Sequence, residues 1–395
     1  MKIFQINSVC GTGSTGRIAL DLKHFAEQNG VECKIFYGRG FCSEPGCVKI
    51  ADKADFYRHT ALSRLTDRQG FYSKAPTRRL IKAILAEQPD VIHLHNIHGY
   101  YLNLPLLFGF LKEYRKPVVW TLHDCWAFTG HCAYFSYAGC NKWQTGCGNC
   151  PQKGAYPASK LADSSAKNFA QKKRLFTSLE QVTLVTPSNW LANLTRQSFL
   201  KKYPVKVVPN GIDLNAFCPT TGNFVGSLGL CNKKIVLGVA NIWEPRKGLP
   251  DFLKLADLLP SNYQIVLVGL NAAQCRALPP NVTGITRTNN VRQLAELYTA
   301  AEVYVNLTYE DNYPTTNLEA IACGTPVITY NTGGSPEGVA PGCGTVVSQG
   351  DVQAVSACIL NNKYNLESFD IQNISKEKCF DEYYKLYIQM MELKE

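Results

Sequence analysis

Twice along this 395-residue chain, short apolar runs alternate with amphipathic runs of helical spacing, and a turn-rich stretch near 205–232 separates the two series. Such alternation leaves few ways to hide the apolar faces: the strands pair in parallel and the helices pack on both sides. The first series reads KIFQINSV, a glycine-rich turn, a helical run from Arg17 to Gln28 and CKIFYG. It continues with DVIHLH, LNLPLLFGFLKEYR and PVVWTLHD, then VTLVTPS, WLANLTRQSFL and VKVVPNGID. The second series runs from KKIVLGVAN through YQIVLVGL and EVYVNLT to TPVITY, with GLPDFLKLADLL, VRQLAELYTAA and PTTNLEAIACG as its helices. The expected fold class is therefore α/β, with an N-terminal domain over 1–205 and a C-terminal domain over 206–375. A final amphipathic helix over 376–395 is expected to pack back toward the N-terminal domain. Two such domains facing each other would place a cleft at the carboxyl ends of both sheets, where α/β folds bind ligands. Residues 125–155 break the rhythm. They are rich in Gly, Cys, Asn, Tyr and Trp, and too long for a plain connection.

Hydrophobic residues make up 45% and charged residues 18%, enough apolar surface for a large core and too little charge for a disordered chain. The longest apolar-looking run, Leu102–Leu111, carries an Asn, a Pro and a Gly, and is half the roughly 20 residues a helical span needs. MKIFQINSVCGTG lacks the apolar core of a signal peptide and reads as a first strand. The expectation is a cytoplasmic chain, or a peripheral one that meets the inner face of the cytoplasmic membrane only at its surface. Through Asn210 there are 28 Lys and Arg against 13 Asp and Glu; the remainder has 13 against 18. The basic half calls for an acidic partner. Arg58, Arg64, Arg68, Lys74, Arg78, Arg79 and Lys82 face only Asp67 in their window, which suits either a solvated helical face or a dock on anionic lipid. Charge alone points to nucleic acid, and no recognition module accompanies it, so no nucleic-acid partner is expected.

Five local patterns carry chemistry. GTGSTG, Gly11–Gly16, follows a strand and precedes a helix, so its backbone can approach a phosphate at a helix N-terminus. It also matches the dinucleotide fingerprint, but that reading wants an acid about 20 residues on, and the second strand ends Phe36-Tyr37-Gly38-Arg39. HLHNIHG puts His93 and His95 on one face of a strand, with His98 beyond. No carboxylate accompanies them in sequence, so an acceptor-pocket or packing role is favoured over a metal. TLHDCWAFTG places His123 and Asp124 at a strand end. NIWEPRKGL sets Arg246 and Lys247 between a strand and a helix, an arrangement suited to a diphosphate. YEDNYPTTNLEAIACG carries Asp311 in a loop and Glu319 in a helix, with first-turn amides at Thr315 and Thr316 aimed at phosphate. Cys132, Cys140, Cys147 and Cys150 lie in the irregular stretch. Their spacing permits structural zinc, free thiols or disulfides.

Taken together, the NGID turn (Asn210–Asp213), RKG, the D-x7-E before AIACGTPVI and the HD pair resemble family 4 of the glycosyltransferases, over nearly the whole chain. The resemblance implies a GT-B fold, two Rossmann-like parallel-sheet domains facing a cleft, and retaining transfer from a nucleotide sugar without a catalytic metal. It implies that Arg246, Lys247 and Asn210 serve the donor, that Glu319 holds the ribose and that Asp311 touches the donor sugar. It further implies that His123 lies beside the reacting sugar and that Gly13–Ser14 covers the phosphates. His95, Asn96 and Asp124 are then acceptor-side candidates. UDP is favoured as carrier over GDP. The branch resembled builds bacterial capsule, exopolysaccharide or O-antigen, so the acceptor expected is a glycan or a lipid-diphosphate-linked saccharide. One departure stands out: the family usually has Glu-x7-Glu, and here Asp311, preceded by Glu310, takes the first position. Two other readings remain: an NAD(P)-dependent oxidoreductase resting on GTGSTG, and an inactive, zinc-stapled binding protein.

Overall fold

The computed structural model describes residues 1–230, 232–361 and 363–392. Its contacts divide the chain into two compact units, one of Met1–Pro209 joined by the chain from Phe380 onward, the other of Asn210–Cys379. The final helix is Lys376–Glu392; the last three residues of the 376–395 helix expected from sequence lie outside the described residues.

The first unit holds seven strands: β1 (Lys2–Val9), β2 (Glu32–Arg39), β3 (Cys47–Lys49), β4 (Val91–Leu94), β5 (Val118–Thr121), β6 (Val182–Thr186) and β7 (Val205–Val207). They pair in parallel in the order β3-β2-β1-β4-β5-β6-β7. The chain runs outward from β1 to β3, then crosses back to start β4 on the other side of β1. That reversal opens a crevice at the carboxyl ends of β1 and β4, the usual ligand position in an open α/β sheet. β4 and β5 are buried along their whole length, as expected of strands covered on both faces.

Local signals start the helices. Asn103 accepts a hydrogen bond from the Leu106 amide (3.0 Å) and Pro105 follows it, so a helix opens at Leu104. The Ser188 hydroxyl accepts from Leu191 (3.1 Å) in the same way. Helices pack on the sheet through large side chains. Phe108 meets Phe176 at 4.6 Å between ring centroids, and Trp120 meets Phe176 edge-on at 5.0 Å. Each such fully buried ring contributes about 1.5–3 kcal/mol. The final helix lays Phe380, Tyr383, Leu386 and Tyr387 into this unit, all buried. Tyr387 hydrogen-bonds His93 at 2.6 Å and Tyr383 hydrogen-bonds Thr121 at 3.0 Å.

The irregular 125–155 stretch has its own small aromatic core, Phe128 and Phe135 against Trp143 at 5.4 and 5.1 Å. His131 is ion-paired with buried Asp67, whose other oxygen accepts from the Ser164 amide at 2.8 Å.

The second unit holds β8 (Lys234–Val239), β9 (Tyr263–Val268), β10 (Val282–Ile285), β11 (Ala301–Asn306), β12 (Val327–Tyr330) and β13 (Gly344–Val347). All pair in parallel, in the order β10-β9-β8-β11-β12-β13. The reversal here lies between β8 and β11. The NGID turn is stapled within this unit: the Ile212 amide donates to the Ile374 carbonyl (2.9 Å), and Lys376 pairs with Asp213 (2.6 Å).

Candidate functional site

At the carboxyl end of β8, Pro245–Lys247 forms one tight turn that leads into the helix Leu249–Leu258. Gly248 makes this possible. Its φ is +75°, and a Cβ there would stand 2.1 Å from the Leu307 carbonyl oxygen, so only glycine lets the turn lie against the end of β11. The loop after β11 comes to meet it. The Tyr309 amide donates to the Arg246 carbonyl (2.7 Å), and Arg246 donates to the Glu310 carbonyl (2.9 Å). Lys247 Nζ donates to Asp311 Oδ2 at 2.5 Å. Burial by itself would raise the Asp311 carboxyl, but Lys247, with Arg246 behind it, holds it below the usual carboxylate range. The loop is fixed from its other side by a second glycine. Gly333, at φ +58°, lies so close that a Cβ would be 1.9 Å from the Asp311 carbonyl oxygen. Asp311 is the acid that meets the lysine, while neighbouring Glu310 is 2% exposed.

The next helix, Thr315–Ala322, follows Pro314 with no side chain capping its first amides. Glu319 accepts from Tyr298 Oη (3.0 Å) and from Thr315 Oγ1 (3.3 Å), which fixes its carboxylate on the first turn of that helix. Tyr304, buried beneath, has its phenol pushed well up by burial, against a hydrogen bond with Thr316 that lowers it. The second unit thus gathers Arg246, Lys247, Asp311, Thr315, Thr316 and Glu319 around one switch point. Asn210 opens the unit as the half-buried first residue of the stapled turn.

In the first unit the turn after β1 closes through the Gly11 amide and Gly16 carbonyl (2.9 Å). The helix begins at Gly13, four residues earlier than the amphipathic run implied, so Gly13 and Ser14 are exposed first-turn residues with unspent amides. The second strand ends at Arg39, and no acid completes a dinucleotide site there.

The histidines form a network. Gln5 Nε2 donates to the Ala19 carbonyl (3.0 Å), so its Oε1 is the acceptor that faces His95 Nε2 (2.9 Å). His95 therefore carries its proton on Nε2, and its Nδ1 accepts from His123 Nε2 (3.1 Å). Burial holds both imidazoles neutral, with His123 pulled down to about 4. His123 thus presents Nδ1 as its acceptor nitrogen. Both nitrogens of His95 are engaged, and through one of them it orients His123. His93 is engaged as well, by Tyr387 and Thr121 (2.6 and 2.8 Å). The absence of a carboxylate near these histidines, read from sequence, is corrected by the fold: His98 Nε2 lies 2.9 Å from Asp124 Oδ2, with Tyr156 at 3.0 Å on its other nitrogen. His95, Asn96, His98, His123 and Asp124 line one depression. Gln5 and Tyr298, which set these orientations, were missed. Gln5 had one signal, a polar residue inside an otherwise apolar strand.

Cys132, Cys140, Cys147 and Cys150 line another depression. Cys132 and Cys150 are hydrogen-bonded, and Cys147 Sγ accepts from the Gly130 amide at 3.2 Å. Among the described residues, no three of these four sulfurs stand within 4.8 Å of one another. Of the basic stretch, Arg68 is not a surface charge. It bonds Asn168 (2.9 Å) and Gln171 (2.5 Å) and stacks on Phe71, while Arg58, Arg64, Lys74, Arg78, Arg79 and Lys82 are exposed.

Comparisons with known proteins agree with this fold. Residues 15–216 match the model of Glycosyltransferase Family 4, and residues 233–362 match that of Glycosyl transferases group 1. A chain described as a colanic acid biosynthesis glycosyl transferase, WcaC of Escherichia coli (strain K12), is 27% identical over 372 residues, 89% of this chain and 88% of that one. Sucrose-phosphate synthase from Thermosynechococcus elongatus superposes with a TM-score of 0.69 at 17% identity, covering 99% of each chain. Anabaena Alr3699/HepE in complex with UDP-glucose superposes at 0.60 and 15% identity, covering 100% of this chain and 99% of that one. No helix among the described residues is long and apolar enough to cross a membrane. The two parallel-sheet units are those of a GT-B enzyme, and the chain belongs to glycosyltransferase family 4.

Proposed function

We propose that this glycosyltransferase is a retaining hexosyltransferase that takes a sugar from a UDP-sugar and passes it to a glycan or lipid-diphosphate-linked saccharide in bacterial surface polysaccharide synthesis. The observation that carries this reading is the Lys247–Asp311 pair with Arg246 at the switch point of the second sheet. Two cations there suit a diphosphate, and a carboxylate held ionised beside them suits sugar hydroxyls. Thr315 and Thr316 add first-turn amides, and Glu319 takes the ribose diol. As the anomeric carbon–oxygen bond breaks, UDP gathers negative charge that Arg246 and Lys247 stabilise. The acceptor hydroxyl attacks on the face UDP leaves, and its proton passes to the departing phosphate oxygen, which preserves configuration. Gly13 and Ser14 offer amides to the phosphates, and neutral His123 accepts from a sugar hydroxyl. Asn96 and Asp124 serve the acceptor. The description of WcaC supports the polysaccharide role, and the HepE complex supports UDP.

A thermal-shift panel with UDP, GDP, ADP, NAD and NADP tests this. A ligand at 100 times its Kd adds about 2.7 kcal/mol to the native state, roughly 5 °C or more for a unit of this size. The expected result is a shift with UDP. A shift with NAD or NADP alone would overturn the reading.

We further propose that the exposed basic face of the helices Lys53–Thr66 and Lys74–Glu87 docks on anionic lipid. Tyr57 and Leu65, 67% and 49% exposed, lie beside Arg58 and Arg64 and can enter the headgroup layer. Each basic residue is worth about 1 kcal/mol at such a surface. Sedimentation should show binding to phosphatidylglycerol vesicles that weakens with salt and with Arg78→Glu/Lys82→Glu. Equal binding to phosphatidylcholine vesicles would count against the dock.

A further inference from the structure

We propose that Cys10, Cys42 and Cys47 form a three-thiolate site for a soft metal ion, Cu(I) by the chemistry of its ligands. Cys10 follows β1, Cys42 stands in the turn after β2, and Cys47 opens β3. Because these three strands are neighbours in the sheet, residues up to 37 positions apart converge at one edge. Cys10 Sγ lies 3.3 Å from Cys42 Sγ and 3.5 Å from Cys47 Sγ. Among the described residues this is the one group of three or more Cys, His, Asp or Glu ligand atoms lying within 4.8 Å of one another.

The surroundings select the ion. The cluster rests on Ala19, Ile35 and Tyr37, an apolar floor. The Cys42 amide donates to Tyr37 Oη at 3.2 Å, which fixes that turn. Neither a carboxylate nor an imidazole completes the set, which disfavours magnesium and calcium, both oxygen-seeking. Structural zinc takes four ligands, and only three are present here. A thiolate-only set suits a soft ion, and Cu(I) accepts three sulfurs. Cys10 is fully buried, while Cys42 and Cys47 are half-buried, so an ion can enter from their side. On binding, three copper–sulfur bonds form and three thiol protons pass to the buffer; copper stays in the +1 state. A Cβ on Gly11 would stand 3.8 Å from Cys42 Sγ, so a bound ion ties the turn of Gly11–Gly16 to the loop after β2. The site stands independently of the sugar-transfer reading.

The test is an anaerobic titration of the reduced, metal-free full-length chain with Cu(I) against a chromogenic Cu(I) chelator. The wild type should take one tightly held equivalent that Cys42→Ser and Cys47→Ser each lose, while Cys140→Ser and Cys147→Ser keep it. The two key positions are half-buried, so their serine variants should keep the wild-type far-UV spectrum. X-ray absorption of the loaded wild type should show a copper shell of sulfur only. Unchanged uptake in both Cys42→Ser and Cys47→Ser, or no uptake by the wild type, would overturn the proposal.

Discussion

Lys247→Ala lowers kcat by about 100- to 1,000-fold, the usual cost of removing one group aimed at charge developing in the transition state. The loss has two sources. The departing diphosphate loses a cation, and Asp311 loses the partner that keeps it ionised, so burial is free to raise its carboxyl. The turn itself should survive. It is held by Gly248 against Leu307 and by main-chain bonds to Tyr309, none of which involves the lysine side chain. Steady-state kinetics with circular dichroism separates these effects. Lys247→Arg, which keeps the charge with a different shape, should recover part of the rate. Near-normal turnover in the alanine variant, with the fold intact, would refute the placement of the diphosphate.

Glu319→Ala should act differently, raising the donor KM by about 10- to 100-fold with a smaller change in kcat. The ribose is remote from the bond that breaks, so the carboxylate binds ground and transition states alike. A hydrogen bond to a charged group is worth about 1.5–3 kcal/mol. The variant also strips buried Tyr298 of its acceptor, at a cost of about 1–3 kcal/mol in stability. Glu319→Gln keeps an oxygen for Tyr298 and separates the two losses: its melting point should stay near wild type while its KM still rises. A donor KM unchanged in both variants would remove Glu319 from the site.

These predictions rest on features unequally visible in the chain. RKG, Asp311, Glu319 and the HD pair stood out because they sit at junctions between apolar strands and helices, where a parallel sheet exposes its loops to ligand. What spacing could not show is orientation. Nothing in HLHNIHG says that His95 spends both nitrogens on Gln5 and His123, since Gln5 is 90 residues away. The carboxylate that answers His98 comes from the loop after β5. Arg68 reads as one more surface charge until its partners at Asn168 and Gln171, about 100 residues on, draw it inward. Three cysteines scattered through the first 47 residues converge on one point, which no spacing in the sequence announces.

By itself the sequence determined the fold class and the existence of two α/β series. Hydrophobic period, helix caps and glycine are local signals, read within a few residues. The tertiary structure alone decided the strand order, and with it the two switch points. It also decided which acid meets Lys247, which histidine orients His123, and which thiols face one another. All of these depend on contacts between strands adjacent in space and distant in the chain, where no local energy term points to the partner.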